Sequence, residues 1–327
     1  MNFSPLIRNR EYIAGCNPSM KYDGSMPASE WQKKARKELS SLIGIDEIES
    51  FLPVSTVVSE SECELYKEIV IRIETERNFF TTATLRVPAG LSAKAPLAVY
   101  LVGKTEDLDA ALKDEGSVSA LALGRGMCFM ALEQRNFNSC FAITNEISPE
   151  AFTRTTWCEC FRSSMRSAMI GRSTVGDRVW DLMRTLDVVL ANYCFIDADN
   201  ISVIGYRGNG TTAYYAAAVD ERISSIVVCS SVCSWNSSLT SFNQCSCHYV
   251  PNIVNSFNMG DIGGLIAPRR ISVLAYEEDE YFPLEGVSES YEEMKKVYSA
   301  LGADKACELD VLAGDAIFDA ATFIAKL

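Results

Sequence analysis

The sequence predicts an α/β protein in which a mostly parallel central sheet is covered by helices. Beyond Pro96, short and continuous apolar runs are separated by longer polar or amphipathic stretches. That pattern is typical of buried parallel strands alternating with helices. Residues 178–190 carry apolar side chains at three- and four-residue spacing, which predicts an amphipathic helix. With 327 residues, the chain is long enough to bury a large core.

The first part of the chain predicts a helix followed by a hairpin. Residues 29–43 have helical periodicity, with Ser29 as the expected N-cap and Gly44 as the stop. Residues 68–74 and 80–87 are rich in β-branched residues and flank a short polar turn, so we expect two antiparallel strands.

The remaining strands belong to the predicted α/β core. They are expected at 97–102, 127–132, 201–205, 226–230 and 271–276. No repeat, low-complexity linker or clear boundary interrupts the sequence. We therefore expect a single domain over 1–327, in which 1–95 form an N-terminal helix and hairpin extension and 96–327 form the core.

The charge balance limits the classes of partner. Lys and Arg total 30 against 43 Asp and Glu, a formal net charge of −13. Such a chain lacks the positive charge that nucleic acids and anionic membranes require. No apolar run is long enough to span a bilayer, and the N-terminus lacks the apolar centre of a secretion signal. We expect a cytoplasmic protein with no nucleic-acid or membrane partner; assembly into a homo-oligomer stays open.

Cysteine and histidine are used unevenly. The 12 cysteines are expected to be reduced and mostly buried. The pairs Cys158/Cys160 and Cys245/Cys247 allow a four-thiolate metal site as an alternative, but their spacing is tighter than the usual Cys-x2-Cys of structural zinc. We expect no metal and no cofactor. His248 is the single histidine, so an imidazole base has one candidate.

The predicted strand at 201–205 runs directly into a glycine-rich turn, 205–210, and then into a small-residue helix. Strand, tight turn and helix form the context of a nucleophile elbow, usually Gly-x-Ser-x-Gly. Glycines are required there because the strand and helix backbones come close. The spacings of phosphate-binding and dinucleotide-binding glycine loops are both absent.

Several phrases of the sequence resemble a known family, the α/β-hydrolases of the acetyl xylan esterase or cephalosporin-C deacetylase type. The resemblance covers most of the chain from residue 31 onward. The matching phrases are WQKKARKELSSLIG (31–44), ALEQRNFN (131–138), GRSTVGDRVWDLMRTLD (171–187), GYRGNGTTAYYAAAVDERI (205–223), QCSCHYVPN (244–252), LIAPRR (265–270) and EEDEYFP (277–283). The resemblance implies an α/β-hydrolase fold and descent from carbohydrate acetyl esterases.

The same resemblance implies that two catalytic residues are missing. The elbow of such enzymes reads approximately Gly-Asn-Ser-Gly-Gly-Gly, and the nucleophile's position is occupied here by Arg207. The acid's position corresponds to Asp279, and the histidine's position to Ala316. An arginine cannot form an acyl intermediate and an alanine cannot accept a proton. The interpretation we prefer is a pseudoenzyme that binds a small anion or a carbohydrate in the former active site. The alternative is an active esterase, or another enzyme, that uses a non-standard set of residues.

The candidate pocket residues are Gly103, Lys104, Tyr206, Arg207, Gly208, His248 and Asp279. We expect Arg207 to fill the vacated space and to form a direct or single-water ion pair with Asp279, the alternative being an anion anchor. His248 is expected to be a polar loop residue rather than a relocated base.

Three further residues are predicted to have no catalytic role. Cys229 and Cys233 follow a core strand, but without a paired base a buried thiol is inert. Ser173 lies in a Gly-x-Ser phrase, yet it precedes a helix and follows no strand, so it is interpreted as a cap or loop residue.

Overall fold

A computed structural model describes residues 4–103, 105–113, 115–135 and 159–327 of the chain. Nine strands form one sheet in the order β1-β2-β3-β5-β4-β6-β7-β8-β9. The strands are β1 (Val54–Glu62), β2 (Tyr66–Glu76), β3 (Phe79–Pro88), β4 (Ala95–Val102), β5 (Cys128–Glu133), β6 (Ile196–Tyr206), β7 (Ile223–Cys229), β8 (Arg270–Tyr276) and β9 (Cys307–Leu312). Along this order, neighbouring strands from β1 to β5 are antiparallel. Neighbouring strands from β5 through β4 to β9 are parallel.

Helices cover the sheet and connect its parallel strands. They are α1 (Pro5–Ala14), α2 (Ala28–Ile43), α3 (Thr105–Leu112), α4 (Val118–Leu123), α5 (Glu159–Met169), α6 (Thr174–Asn192), α7 (Gly208–Val219), α8 (Ile253–Ser256), α9 (Met259–Gly264), α10 (Leu284–Ala300) and α11 (Ala320–Ala325). The apolar core lies in two clusters, which contain alternate side chains of strands such as β4 and β8. The predicted mostly parallel sheet with flanking helices is confirmed. Within these segments, no helix has the length and apolar character needed to cross a membrane.

The predicted hairpin and all five predicted core strands are present. Asn78 turns between β2 and β3 with a φ of 62°, a left-handed conformation that asparagine tolerates. Gly44 ends α2 with a φ of 82°, as predicted. The prediction that Ser29 is the N-cap of α2 is wrong. The helix begins at Ala28, and Pro27 is in the cap position. The fixed φ of proline is compatible with the start of a helix.

The two edge strands, β1 and β9, were not predicted from the sequence. Every residue of β1 is exposed, so the strand lacks the apolar alternation that identifies a half-buried strand. β9 has only one buried residue, Cys307. Both strands depend on pairing with a neighbour that is already in place.

A buried ion network fixes the end of β2 and the residues after β5 against α6. Arg135 donates from Nε and Nη2 to the two carboxylate oxygens of Asp181, each at 2.6 Å. Its Nη1 lies 2.7 Å from Oε1 of Glu76. Arg172 bridges Glu76 and Asp177 on the other side. Two of the phrases that carried the family resemblance therefore meet in this network.

Candidate functional site

Residue 207 has the backbone conformation of a strained strand-to-helix turn. Arg207 follows the last residue of β6 and is the N-cap of α7, with φ 51° and ψ −125°. A non-glycine residue rarely adopts this region, and holding it there costs on the order of 1–3 kcal/mol. Its amide donates to the Cys229 carbonyl oxygen at 2.9 Å, and Ser231 Oγ donates to the Arg207 carbonyl oxygen at 2.9 Å. The elbow geometry is thus formed around an arginine.

Two glycines allow β6 and α7 to approach each other. A Cβ on Gly205 would lie 2.5 Å from the Asn209 carbonyl oxygen and 2.5 Å from the Gly210 Cα. A Cβ on Gly210 would lie 2.9 Å from the Gly205 carbonyl oxygen and closer still to Ser231 Oγ. These distances are inside van der Waals contact, so glycine is required at both positions for steric reasons.

The Arg207 side chain lies between two tyrosines. Its Nε donates to Tyr206 Oη at 3.0 Å. Its guanidinium carbon is 5.4 Å from the ring centre of Tyr206 and 5.8 Å from that of Tyr281, which is cation–π range. The two terminal nitrogens have no hydrogen-bond partner or ion pair in the described part of the chain. The charged end of Arg207 is therefore half-buried and available.

A direct ion pair between Arg207 and Asp279, one of the two expected forms, is not formed. Among the described residues, neither side chain belongs to a salt bridge. The reason is a nearer acceptor, since Tyr206 is adjacent in the chain and binds the Nε that would orient the guanidinium toward Asp279. Burial opposes the charge of Arg207, but the Tyr206 hydroxyl and the fields of Asp279 and Asp315 outweigh it and raise the pKa of Arg207.

Asp279 is buried with half of its carboxylate unused. Its Oδ1 accepts the backbone amides of Tyr281 at 3.0 Å and Phe282 at 3.2 Å. Its Oδ2 has no hydrogen-bond partner among the described atoms. The residue is only 4% exposed, so this oxygen is buried. An unsatisfied buried acceptor costs about 1–3 kcal/mol. The structure therefore places an unsatisfied carboxylate oxygen on the side chain that the family resemblance aligned with the catalytic acid.

Ala316 is connected to Arg207 and to the Asp279 loop through neighbouring residues. Tyr206 Oη donates to the Ala316 carbonyl oxygen at 2.8 Å while it accepts from Arg207. The Glu278 amide, next to Asp279, donates to the Gly314 carbonyl oxygen at 3.0 Å. The three positions that the resemblance aligned with a catalytic triad are thus brought together at the carboxyl edge of the sheet.

His248, predicted as a polar loop residue, lies in the loop after β7 and is buried there. It lies in a short helical turn, is 8% exposed, and its Nδ1 is 3.0 Å from Thr211 Oγ1 on α7. A Cβ on Gly208 would lie 3.6 Å from its Nε2. Burial lowers the pKa of His248 to about 4, so the ring is neutral near pH 7. Thr211 is 3% exposed, so a substrate cannot reach its hydroxyl.

Gly103 lies at the end of β4, next to the first turn of α7. Lys104 and Cys158 lie outside the described residues. A Cβ on Gly103 would lie 2.5 Å from Asn209 Nδ2, so the absence of a side chain lets the β4 end pack on α7. Gln134 Nε2 donates to Asn209 Oδ1 at 2.5 Å and holds that amide. Asn209, Tyr281 and Thr211 were not singled out from the sequence, since nothing in their local pattern marks them.

Cys229, Cys233 and Ser173 are the remaining residues named from the sequence. Burial raises the pKa of Cys229 and of Cys233 to about 12, so both thiols are protonated at neutral pH. Ser173 caps α6, its Oγ accepting from the Gly176 amide at 3.1 Å.

Three other cysteines form a cluster beside the elbow. The Sγ atoms of Cys160, Cys245 and Cys247 all lie within 4.8 Å of one another. Arg178 Nη2 donates to Cys160 Sγ at 3.3 Å. Hydrogen bonds from Cys160 and Cys245, together with the nearby Arg178 charge, hold the pKa of Cys247 well below its ordinary value. In the sequence analysis, these cysteines belonged to the two Cys-x-Cys pairs whose four-thiolate metal site was the less favoured alternative.

An acidic groove of about 500 Å³ opens at the Asp279 loop. Its lining consists of Phe242, Glu277, Glu278, Asp279, Glu280, Pro283 and Leu284. The groove offers carboxylates that can accept hydrogen bonds, whereas the nearby positive charge comes from Arg207.

No protein-family model matches the chain. A curated protein of Bacillus subtilis (strain 168), named "Putative hydrolase YtaP", is 30% identical over 141 residues. That match covers 41% of this chain and 46% of the relative, so the chain spans under half the length of the curated relative.

Solved structures match over nearly the whole chain. A structure described as a "putative acetyl xylan esterase" from Bacteroides fragilis NCTC 9343 has a TM-score of 0.77 at 16% identity, covering 95% of this chain and 82% of that one. A glucuronoyl esterase from Solibacter usitatus has a TM-score of 0.66 at 14% identity, covering 95% and 96%. The chain has the α/β-hydrolase fold.

Proposed function

We propose that this chain is a non-hydrolytic member of the α/β-hydrolase fold that binds a small carboxylated ligand at the former elbow. The observation that carries the proposal is Arg207, a permanently charged residue in the strained conformation where such folds expose a nucleophile. A guanidinium cannot be deprotonated near neutral pH and cannot be acylated.

The absence of a base supports the same proposal. Ala316 has no group that accepts a proton, and Asp279 Oδ2 lacks the partner that a triad histidine would supply. With two of three triad members missing, only oxyanion donors and binding remain, worth about 10³–10⁴-fold over water in triad enzymes.

The electrostatics of the elbow favour an anion. α7 is a 12-residue helix whose first amides point toward residue 207, and the N-terminus of a helix carries a partial positive charge. The Arg207 guanidinium adds a full charge beside it. A carboxylate bound near both would be attracted by each, and this attraction would offset their mutual repulsion.

A sugar acid is the ligand class we propose. Its carboxylate would bind to Arg207, and its hydroxyls would donate to the carboxylates of the groove near Asp279. The names of the structural neighbours, an acetyl xylan esterase and a glucuronoyl esterase, suggest carbohydrate-derived ligands. The reduced cysteines fit a cytoplasmic location, which is part of this proposal.

Hydrolysis and binding test the proposal separately. We expect no saturable release of acetate from an aryl acetate or from acetylated xylan above a heat-denatured control. Release that is abolished by substituting Asp279 would contradict the loss of hydrolysis.

Binding is tested by calorimetry with glucuronate and, as the matched neutral sugar, glucose. We expect glucuronate to bind and glucose to bind at least about tenfold more weakly, the equivalent of about 1.4 kcal/mol. Arg207→Gln should remove the preference, while Arg77→Gln, which changes an exposed arginine paired with Glu49, should keep it. Equal affinity for both sugars in the wild type would contradict an anion site.

His248 favours the alternative, an enzyme with a non-standard set of residues. Its neutral ring lies beside Gly208, close to where a substrate carbonyl would meet the elbow. If this alternative holds, a serine-hydrolase probe or an ester substrate will react in the wild type and fail in His248→Gln. A lack of reaction in both leaves the binding function as the better account.

A further inference from the structure

The cysteine cluster beside the elbow joins three separate parts of the fold. Cys160 is on α5, and Arg178 approaches from α6. Cys245 and Cys247 flank a single residue in the loop after β7. The turn that holds Cys247 packs on α5, α6 and α7. A Cβ on Gly208 would lie 4.0 Å from Cys247 Sγ, so the cluster is next to the elbow.

We propose that Cys160, Cys245 and Cys247 bind one thiophilic divalent metal ion, Zn²⁺ being the natural candidate. Zinc–sulfur bonds of about 2.3 Å in a tetrahedral site set the sulfur–sulfur distance at about 3.8 Å. The three sulfurs lie within 4.8 Å of one another, and Cys245 and Cys247 are 3.1 Å apart. Movements of less than about 1 Å in the sulfurs would therefore complete three ligand positions, leaving the fourth for water.

The buried charges are consistent with this ion. Three thiolates and a divalent cation sum to −1, and the guanidinium of Arg178, which is 2% exposed, contributes +1 next to them. Arg178 donates to sulfur, which suits it to orient a metal-bound thiolate. Two of the cysteines are buried, while Cys245 is exposed and offers a route for the metal to enter.

The site would tie the loop that carries His248 to the helices around the elbow. This role needs neither hydrolysis nor ligand binding at Arg207, so the inference is independent of the proposed function. A metal bound there would stabilise the folded state, because the unfolded chain does not hold three cysteines together.

Cobalt titration of the reduced, metal-free chain tests the proposal directly. We expect one equivalent of Co²⁺ to bind with the thiolate-to-cobalt charge-transfer and visible bands of a tetrahedral thiolate site, and Zn²⁺ to displace it. Cys245→Ser should weaken binding at least about a hundredfold, since even loss of a second-sphere partner costs about 10–100-fold. Because Cys245 is exposed, this variant should fold normally. Cys160→Ser should have the same effect on the bands.

Cys63→Ser is the matched control, since Cys63 is also exposed but lies at the end of β1 away from the cluster. It should bind cobalt like the wild type, and Zn²⁺ should raise the thermal midpoint of both but not that of Cys245→Ser. Cobalt spectra without thiolate bands, or bands unchanged in both cluster variants, would overturn the proposal. So would a Cys245–Cys247 disulfide that forms in the wild type in the presence of excess Zn²⁺.

Discussion

The hydroxyl of Tyr206 donates to the carbonyl oxygen of Ala316 at 2.8 Å and accepts from Nε of Arg207 at 3.0 Å. One phenol therefore connects the position aligned with the nucleophile to the position aligned with the base. The hydroxyl thus acts as a donor to the carbonyl and as an acceptor for the guanidinium.

Tyr206→Phe is expected to destabilise the fold by about 1–2 kcal/mol, because it leaves the Ala316 carbonyl and the Arg207 Nε without their partner. Chemical denaturation measures the change. Tyr12→Phe removes a comparable hydroxyl contact, 3.2 Å to Asn255, from an exposed tyrosine and should change stability by less than about 0.5 kcal/mol. Equal effects of the two substitutions would argue against a structural role for the phenol.

The double variant Arg207→Ser with Ala316→His is expected to gain weak esterase activity. The new histidine would find Asp279 Oδ2 without a partner, and the serine would take the elbow conformation. Since triad members act as a unit, the double variant should exceed either single variant by at least about tenfold. Initial rates on an aryl acetate measure this gain. Adding Asp279→Asn should remove it; a gain that survives this third change would come from another mechanism.

Gly210→Ala is expected to destabilise the chain by about 1–2 kcal/mol. The added methyl group would overlap Ser231 and the Gly205 carbonyl oxygen, and overpacking of this kind typically costs about 1–3 kcal/mol. This cost exceeds the gain of about 1 kcal/mol that alanine brings to a helix interior. Gly116→Ala is the control, because a Cβ there meets no atom within 4 Å. Thermal unfolding of both variants separates the steric effect from the effect of replacing a glycine where the added methyl group has open space.

Glu76 should give the chain an acid-sensitive component of stability. Burial alone would raise the pKa of Glu76, but Arg172 and Arg135 lower it from 4.5 to about 2. A carboxylate whose pKa is lowered by folding stabilises the folded state at any pH above its pKa in the unfolded chain. This contribution is lost as the pH falls from about 4.5 to about 2. The shift corresponds to about 3 kcal/mol.

Glu76→Gln tests this contribution. The wild type should be more stable than the variant at neutral pH, and the difference should narrow as the pH falls toward 2. Denaturation at a series of pH values measures it. Glu49→Gln removes an exposed partner of Arg77 and should show a small difference throughout. A wild-type advantage at Glu76 that is independent of pH would rule out the linkage.

The central sheet was predictable because each buried strand is a continuous apolar run with a clear end. β1 was not predictable because all of its side chains face solvent, and only pairing with β2 defines it. The assembly of Arg207, Asp279 and Ala316 followed from family resemblance, but the missing ion pair did not. Which acceptor a flexible arginine reaches depends on distances that the sequence does not contain, and the adjacent Tyr206 was the nearer one.

The cysteine cluster also could not be predicted from local sequence spacing. Spacing within a Cys-x-Cys pair describes only local geometry, whereas Cys160 reaches the cluster because α5 packs on the turn that carries Cys247. The burial of His248 depends on the same packing, which a lone loop histidine does not reveal.

The close crossing of Gly205 and Gly210 makes the shape of the elbow independent of the side chain that it presents. Steric contacts and the backbone bonds of Arg207 hold the turn, and none of them involves the atoms beyond its Cβ. Mutations at position 207 can therefore replace one chemistry by another while the turn persists. This makes the position a ready point of evolutionary and engineered diversification, where a cysteine, a lysine or a serine would meet the same surroundings.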